Sequence, residues 1–274
     1  MQPGEFIYLR LLTIKSASIF QRHPFVITWW EESDALDEIN KAKGQEDNKS
    51  KGYKWNNSGK AQVIYVMIDP QRGWTRNVTS NDATFENQVA WLDGPFGSPY
   101  RLEEYSTVVL FASGNGIFAQ LPLLKDLATG LKALAIRTRR VKLVWQAESS
   151  NEQLQEWMHE ILRDEQLDND VLDICIHAPM STEQLEAHQY LKDHKIYRKS
   201  RCVTIVYDVP DVEEYLRREL NESKSSTAVT VSGHGQLRHD VRRGLIQVED
   251  HNVRLFELDY QPVYRNKHKG GIAV

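Results

Sequence analysis

The sequence predicts a β + α/β protein, an antiparallel β part followed by a doubly wound parallel sheet. Three observations predict it. From residue 1 to about 104, apolar and polar positions alternate between turn residues, the texture of half-buried strands. From Tyr105 onward, short apolar runs rich in Val and Ile alternate with helical stretches, as expected where helices cover both faces of a parallel sheet. At the head of that second part, residues 107–124 read "TVVLFASGNGIFAQLPLL", a strand passing through a glycine turn into a helix.

In the first part the clearest strands are "EFIYLRLLTI", "PFVITWW" and "QVIYVMI". Between the second and third, at about residues 31–60, lies "EESDALDEINKAKGQEDNKSKGYKWNNSGK". It is polar and poor in branched apolar residues, which fits a solvent-exposed insertion. In the second part the strands are "TVVLFA", "VKLVWQA", "VLDICIH", "CVTIVYD" and "AVTVSG", separated by helices over 116–130, 151–164, 181–194, 211–220 and 235–246. Right-handed crossovers between such strands give a doubly wound domain. The end of the chain, "FELDYQPVYRNKHKGG", reads as a tail.

Composition narrows the function classes. Of 274 residues, 41% are hydrophobic and 26% charged, which is ordinary for a globular chain able to bury one large core or two smaller ones. The net charge of -4, with Lys and Arg dispersed, gives no reason to expect nucleic acid as a partner. Cys175 and Cys202 stand in strand contexts without metal-ligand spacing and read as buried thiols in a reducing compartment. No apolar stretch approaches the roughly 18 residues that cross a bilayer, and "MQPGEFIYLR" lacks the features of a signal peptide. As written, the chain is expected in the cytoplasm.

The glycine turn is where chemistry is expected. A strand-to-helix turn in a parallel sheet lies at the carboxyl edge, near the switch point where ligands sit. The helix beginning there points unpaired N–H groups and a positive dipole end at that crevice, and Gly114 and Gly116 remove side chains that would keep a phosphate away. A plain structural turn explains the same residues. "TAVTVSGHGQLRHDVRRGL" repeats the layout with Ser232, Gly233, His234 and Gly235, so two such loops line one edge; His234 reads as a solvated loop residue rather than a base. In the first part, "RHPFVIT" places His23 and Pro24 at a strand entry, "RGWTRN" ends a strand with Gly73, Trp74 and Thr75, and "LDGPFGSPY" reads as a turn at the boundary of the two textures.

In this order the pieces resemble the ferredoxin-reductase-like flavoproteins, and more narrowly the cytosolic part of fungal ferric-chelate reductases and the related NADPH oxidases. "QPGEFIYLRL" is similar to the family's strand leading toward the flavin site, and "HPFVIT" to its His-Pro-Phe-Thr motif along the flavin. "GWT" is similar to the Gly-x-Thr turn at the flavin pyrophosphate, and "DGPFG" to the Gly-Pro-Tyr-Gly turn near the nicotinamide. "FASGNGI" resembles the Ala-Gly-Gly-x-Gly-Ile pyrophosphate loop, "LVWQAES" the strand that follows, and "VTVSGHGQLRHDVR" the Cys-Gly-Pro loop. The resemblance covers essentially the whole chain. It implies a partial antiparallel FAD-binding β-barrel over residues 1–104, truncated at its start and carrying the insertion at about 31–60. A doubly wound parallel-sheet NAD(P)-binding domain then follows over 105–274.

The resemblance also implies an activity: NAD(P)H passes a hydride to FAD, and electrons leave singly, in the family toward haem and ferric iron. His23, Pro24, Phe25 and Thr28 are implied along the flavin, and Gly73, Trp74 and Thr75 at its pyrophosphate. Gly94, Pro95, Ser113, Gly114, Gly116, Ser232 and Gly233 are implied on the nicotinamide nucleotide. No acid–base residue is needed for hydride transfer, so no catalytic side chain is assigned, and no metal site. The cofactors implied are FAD and NADPH or NADH, with no haem in this chain. The nicotinamide nucleotide is the partner implied, and the electron acceptor stays open. Full-length relatives are membrane proteins with this part facing the cytosol.

The chain also departs from the family. Set against the family pattern, the sequence given is expected to open in the middle of the flavin barrel, without the membrane helices whose histidines hold haem in full-length members. Val26 stands where the family has Thr, and Thr28, two residues on, is expected on the same face of the strand as a partial substitute. Ser232 stands where the family has a Cys near the reacting nicotinamide carbon. Glu148 falls where the family often has an Arg, and an acid there repels a 2′-phosphate, so NADH is expected to serve as readily as NADPH. Tyr260 and Tyr264 are the candidates for the aromatic that covers the flavin. These departures keep a second reading open: a non-catalytic remnant or interaction module that retains the fold with weakened cofactor binding.

Overall fold

Phe6–Leu11 (β1) alternates buried Ile7 and Leu9 with half-buried Phe6 and Tyr8, the period of a strand with one face in a core. It pairs antiparallel with His23–Glu32 (β2) on one side and with Ala90–Phe96 (β4) on the other, while Gln62–Val66 (β3) pairs antiparallel with β2. The resulting sheet runs β3-β2-β1-β4. Its small core joins Leu9 and Phe25 to Val66 and Ile68. The computed structural model describes residues 1–11, 23–32, 62–69, 90–148, 152–162, 170–178, 196–198, 201–222, 225–248 and 252–261. The insertion expected at about 31–60 and the helix expected at 181–194 lie outside the described residues, apart from Glu31 and Glu32 at the end of β2.

Two features of this sheet differ from the sequence reading. Leu92–Phe96, the first part of "LDGPFGSPY" expected as a turn, belongs to β4, which is an edge strand among the described residues; an edge strand tolerates Pro95 because one of its sides has no ladder to complete. In β2, Ile27 and Trp29 face the adjacent Val66 and Tyr65, so Thr28 is the extra residue of a bulge. Ile27, Thr28 and Trp29 are consequently all buried, and the period-two argument linking Thr28 to Val26 stops at the bulge.

The second sheet has seven strands in the order β11-β10-β5-β6-β7-β9-β8. They are Thr107–Ser113 (β5), Arg140–Gln146 (β6), Leu172–His177 (β7), Ile196–Arg198 (β8), Val203–Val206 (β9), Thr227–Ser232 (β10) and Val253–Leu258 (β11). All neighbours run parallel except β8, which is antiparallel to β9. β5 and β10 are buried at every position, which is why they read as unbroken apolar runs. Ile117–Lys132 (α1) and Glu152–Leu162 (α2) share one face, where Phe118 and Trp157 meet edge to face with ring centroids 6.4 Å apart. Val212–Glu222 (α3) and Gly235–Val248 (α4) share the other, packing Leu216, Leu220, Leu237 and Val241 against Val109, Phe111, Val229 and Val231. The sheet is therefore wound on both faces, and the chain reverses direction between β5 and β10. β11 and β8 were not read from the sequence.

The chain divides into two compact units: Glu5–Gly97 with Gln261–Val274, and Met1–Gly4 with Ser98–Tyr260. Within the latter unit, Gly4 lies against Tyr100, and Leu102–Glu104 form a short turn whose carbonyls accept hydrogen bonds from Thr138 and the Arg137 amide. Among the described residues, no helix is long and apolar enough to cross a membrane.

Candidate functional site

The carboxyl edge of the parallel sheet carries both glycine loops, side by side, because β5 and β10 are neighbours in register from Thr107↔Thr227 to Ala112↔Ser232. After Ser113, Gly114–Gly116 make one tight turn that runs directly into α1, and neither N-cap residue, Ser113 or Gly116, makes a side-chain cap hydrogen bond. Gly114 has φ +48°, in the left-handed region that favours glycine. The two loops interlock. A methyl group on Gly116 would lie 2.4 Å from the Ser232 carbonyl oxygen, and one on Gly233, at φ +126°, would lie 2.0 Å from the Ser113 hydroxyl. At Gly116 and Gly233 the absent side chain thus lets one loop seat against the other.

Buried polar groups fasten the seam. The His234 N–H donates to Ser113 Oγ at 2.9 Å, and Ser232 Oγ donates to the Gly116 carbonyl at 2.8 Å while accepting from Gln120 Nε2 at 2.9 Å. Gln120 also donates to the Phe111 carbonyl at 3.1 Å and accepts from Thr230 Oγ1 at 2.7 Å. Gln120, Thr230 and Ser232 have no exposed surface, so each bond replaces water that cannot reach them. Gln120 was missed from sequence; the available signal was a polar residue standing mid-run among the apolar positions of "IFAQLPLL".

Three side chains on the rim are exposed: Asn115, Glu148 and His234. Glu148 follows β6, and its carboxyl group covers Gly114: a methyl group there would lie 2.9 Å from Glu148 Cδ and 2.9 and 3.0 Å from its oxygens. Trp145 Nε1 donates to the Gly114 carbonyl at 3.2 Å, tying β6 to the same turn. His234, expected as a solvated loop residue, caps α4, since the Leu237 N–H donates to its Nδ1 at 3.1 Å. A neutral ring then carries its proton on Nε2, which faces Gln146 Oε1 at 3.4 Å. A methyl group on Gly235 would meet nothing within 4 Å. Arg238 holds the loop from below, Nε donating to the Gly233 carbonyl at 3.1 Å and Nη2 to the Leu258 carbonyl at 2.7 Å.

In the antiparallel sheet, His23 opens β2, with Pro24 half-buried beside it. Phe25 is wholly buried in the small core. Thr28 is 1% exposed, and its Oγ1 has no hydrogen-bond partner among the described residues. Gly94 has φ +136° and precedes Pro95 across a cis peptide; a methyl group on Gly94 would lie 3.1 Å from the Phe6 carbonyl oxygen. Gly73, Trp74, Thr75 and Tyr264 lie outside the described residues; Tyr260, the last residue of its compact unit, is half-buried.

Residues 105–245 match the family described as ferric reductase NAD binding domain. A probable cell surface ferric reductase of Aspergillus oryzae is 31% identical over 166 residues, which make up 59% of this chain and 19% of that protein. The matched stretch thus spans about a fifth of the relative's length. Among solved structures, the FAD- and haem-bound flavohemoglobin of Malassezia yamatoensis matches with a TM-score of 0.46 at 12% identity, over 93% of this chain and 51% of that one. The ferredoxin-NADP+ reductase of Plasmodium falciparum matches with a TM-score of 0.44 at 13% identity, over 94% of this chain and 84% of the other.

Proposed function

The chain belongs to the ferric reductase NAD-binding domain family, and on that premise we propose that it is the NAD(P)H- and FAD-binding part of a ferric-reductase-like oxidoreductase. The observation that carries the reading is the pair of interlocked glycine loops at the point where the doubly wound sheet reverses, beside a helix start whose N-cap residue makes no side-chain cap hydrogen bond. Bound FAD would supply the redox chemistry, accepting a hydride from the reduced nicotinamide and releasing electrons singly. Every other contribution belongs to the protein's own groups.

The residues fit the nucleotide. The left-handed turn at Gly114 is half-exposed beside the α1 start, and the side chain lying over it, Glu148, is exposed and belongs to another element. Ser113 and Gly233 support the nucleotide indirectly by fixing the loop, through the Ser113–His234 bond and the close approach at Gly233. Ser232 acts the same way, since both of its hydrogen-bonding roles are taken by Gly116 and Gln120. For the flavin, the unspent hydroxyl of Thr28 is the group that fits, because a buried donor without a partner is costly until a ligand accepts from it. His23, Pro24 and Phe25 complete the proposed flavin contacts, and Gly94 and Pro95 are proposed on the nicotinamide nucleotide. Within a longer membrane protein, this part would face the cytosol and send electrons toward haem and ferric iron.

Purified protein incubated with FAD and desalted tests the reading. Retained flavin absorption that bleaches under NADH or NADPH in the absence of oxygen is the expected result. Protein that stays colourless, and shows no calorimetric heat with either nucleotide, overturns it. That outcome would leave the non-catalytic module, which the inward-turned Ser232 and the overlying Glu148 favour.

A further inference from the structure

We propose that Glu148 is an internal competitor for the dinucleotide's diphosphate: its carboxylate occupies the anion position over Gly114 and must withdraw for any diphosphate nucleotide to bind. The inference deepens the reading of this loop as the nucleotide site and rests on it. Three observations carry it. The carboxyl group is the anion that lies against the turn, with Cδ and both oxygens at 2.9 to 3.0 Å from where a Gly114 methyl would sit. The N-cap residues of the turn and of α1, Ser113 and Gly116, make no side-chain cap hydrogen bond, so neither competes with an anion for this turn. Glu148 is exposed at the end of the chain segment tied to the loop by Trp145, so its side chain can swing out while the backbone stays.

A role limited to 2′-phosphate discrimination is a different claim. In that case the carboxylate would matter only to NADPH. As a competitor at the diphosphate position it weakens NADH, NADPH and ADP-ribose by a common factor, since all three present the same diphosphate. A third role, hydrogen bonding to the adenosine ribose, would strengthen NADH binding instead. The three roles therefore predict different signs and patterns.

The experiment is isothermal titration of the full chain and its Glu148→Gln variant with ADP-ribose, NADH, NADPH and AMP. The expected result is a tightening of about three- to tenfold, common to the first three, given one exposed charge of about 1 kcal/mol at 4 Å in water. AMP, which lacks the diphosphate, gains less. Tightening confined to NADPH overturns the proposal, as does weakened NADH binding or no change. If neither protein binds any nucleotide, the site reading and this inference fall together, whereas binding by the parent with no change in the variant removes this inference alone.

Discussion

At the scale of single residues, the site depends on groups the ligand never meets. Gln120 joins Thr230, Ser232 and the Phe111 carbonyl in a space without water. Gln120→Leu keeps the volume but leaves the buried Thr230 hydroxyl without its acceptor, at about 1–3 kcal/mol, whereas the Ser232 hydroxyl still donates to the Gly116 carbonyl. Urea unfolding is expected to show a loss of about 2 kcal/mol, and adding Thr230→Val should recover part of it by removing the stranded hydroxyl. What the sequence offered here was uneven. Gly114, Gly116 and Gly233 were legible as positions that need glycine. The reason for two of them was not, because the atom each makes room for comes from more than a hundred residues away. Ser232 was legible as a departure from a family motif, but the direction of its hydroxyl depends on Gln120, which only the packing of α1 on β10 brings near.

Elements are held to one another by charged and titratable pairs whose behaviour with pH can be worked out. Glu257 on β11 accepts from Arg242 on α4 at 2.5 and 2.6 Å, and that hydrogen bond chiefly holds its carboxyl below the ordinary 4.5. His177 at the end of β7 is held below 6.5 chiefly by burial; its Nδ1 faces the Asp208 carbonyl at 2.9 Å and its Nε2 the Tyr215 hydroxyl at 3.0 Å. Because both folded values are depressed, the unfolded chain takes up the proton first, and the stability each group contributes is present at higher pH. Stability is therefore expected to fall in two stages, from about 6.5 downward for His177 and from about 4.5 downward for Glu257. Chemical denaturation across pH checks this: His177→Gln should flatten the upper stage and Arg242→Ala the lower one. Element recognition followed physical limits. β5, β6, β7 and β10 were plain from their apolar runs. β4 was hidden by Gly94 and Pro95, which mark turns everywhere except at a sheet edge, and β8 has only three residues in which to show a period.

Over the whole molecule, the large apolar side chains that stand exposed on strands, among the described residues, are all on β4. Trp91, Leu92 and Phe96 are 59%, 39% and 45% exposed, and β4 is an outer strand among the described residues. Such an edge invites pairing between copies. Light scattering over a concentration series should show self-association that a Trp91→Lys, Phe96→Lys pair diminishes, with the melting temperature little changed.

The path of the backbone between the two units has a further outcome. Met1–Gly4 count with the parallel-sheet unit, the next stretch belongs to the antiparallel one, and after Tyr260 the chain returns to the latter, where Gln261 Oε1 accepts from the Asp69 amide at 2.9 Å. A protease nicking the polypeptide once, between Gly97 and Ser98, would therefore free neither half: each fragment keeps a portion threaded into both, and the pieces would travel as one species until a denaturant parted them.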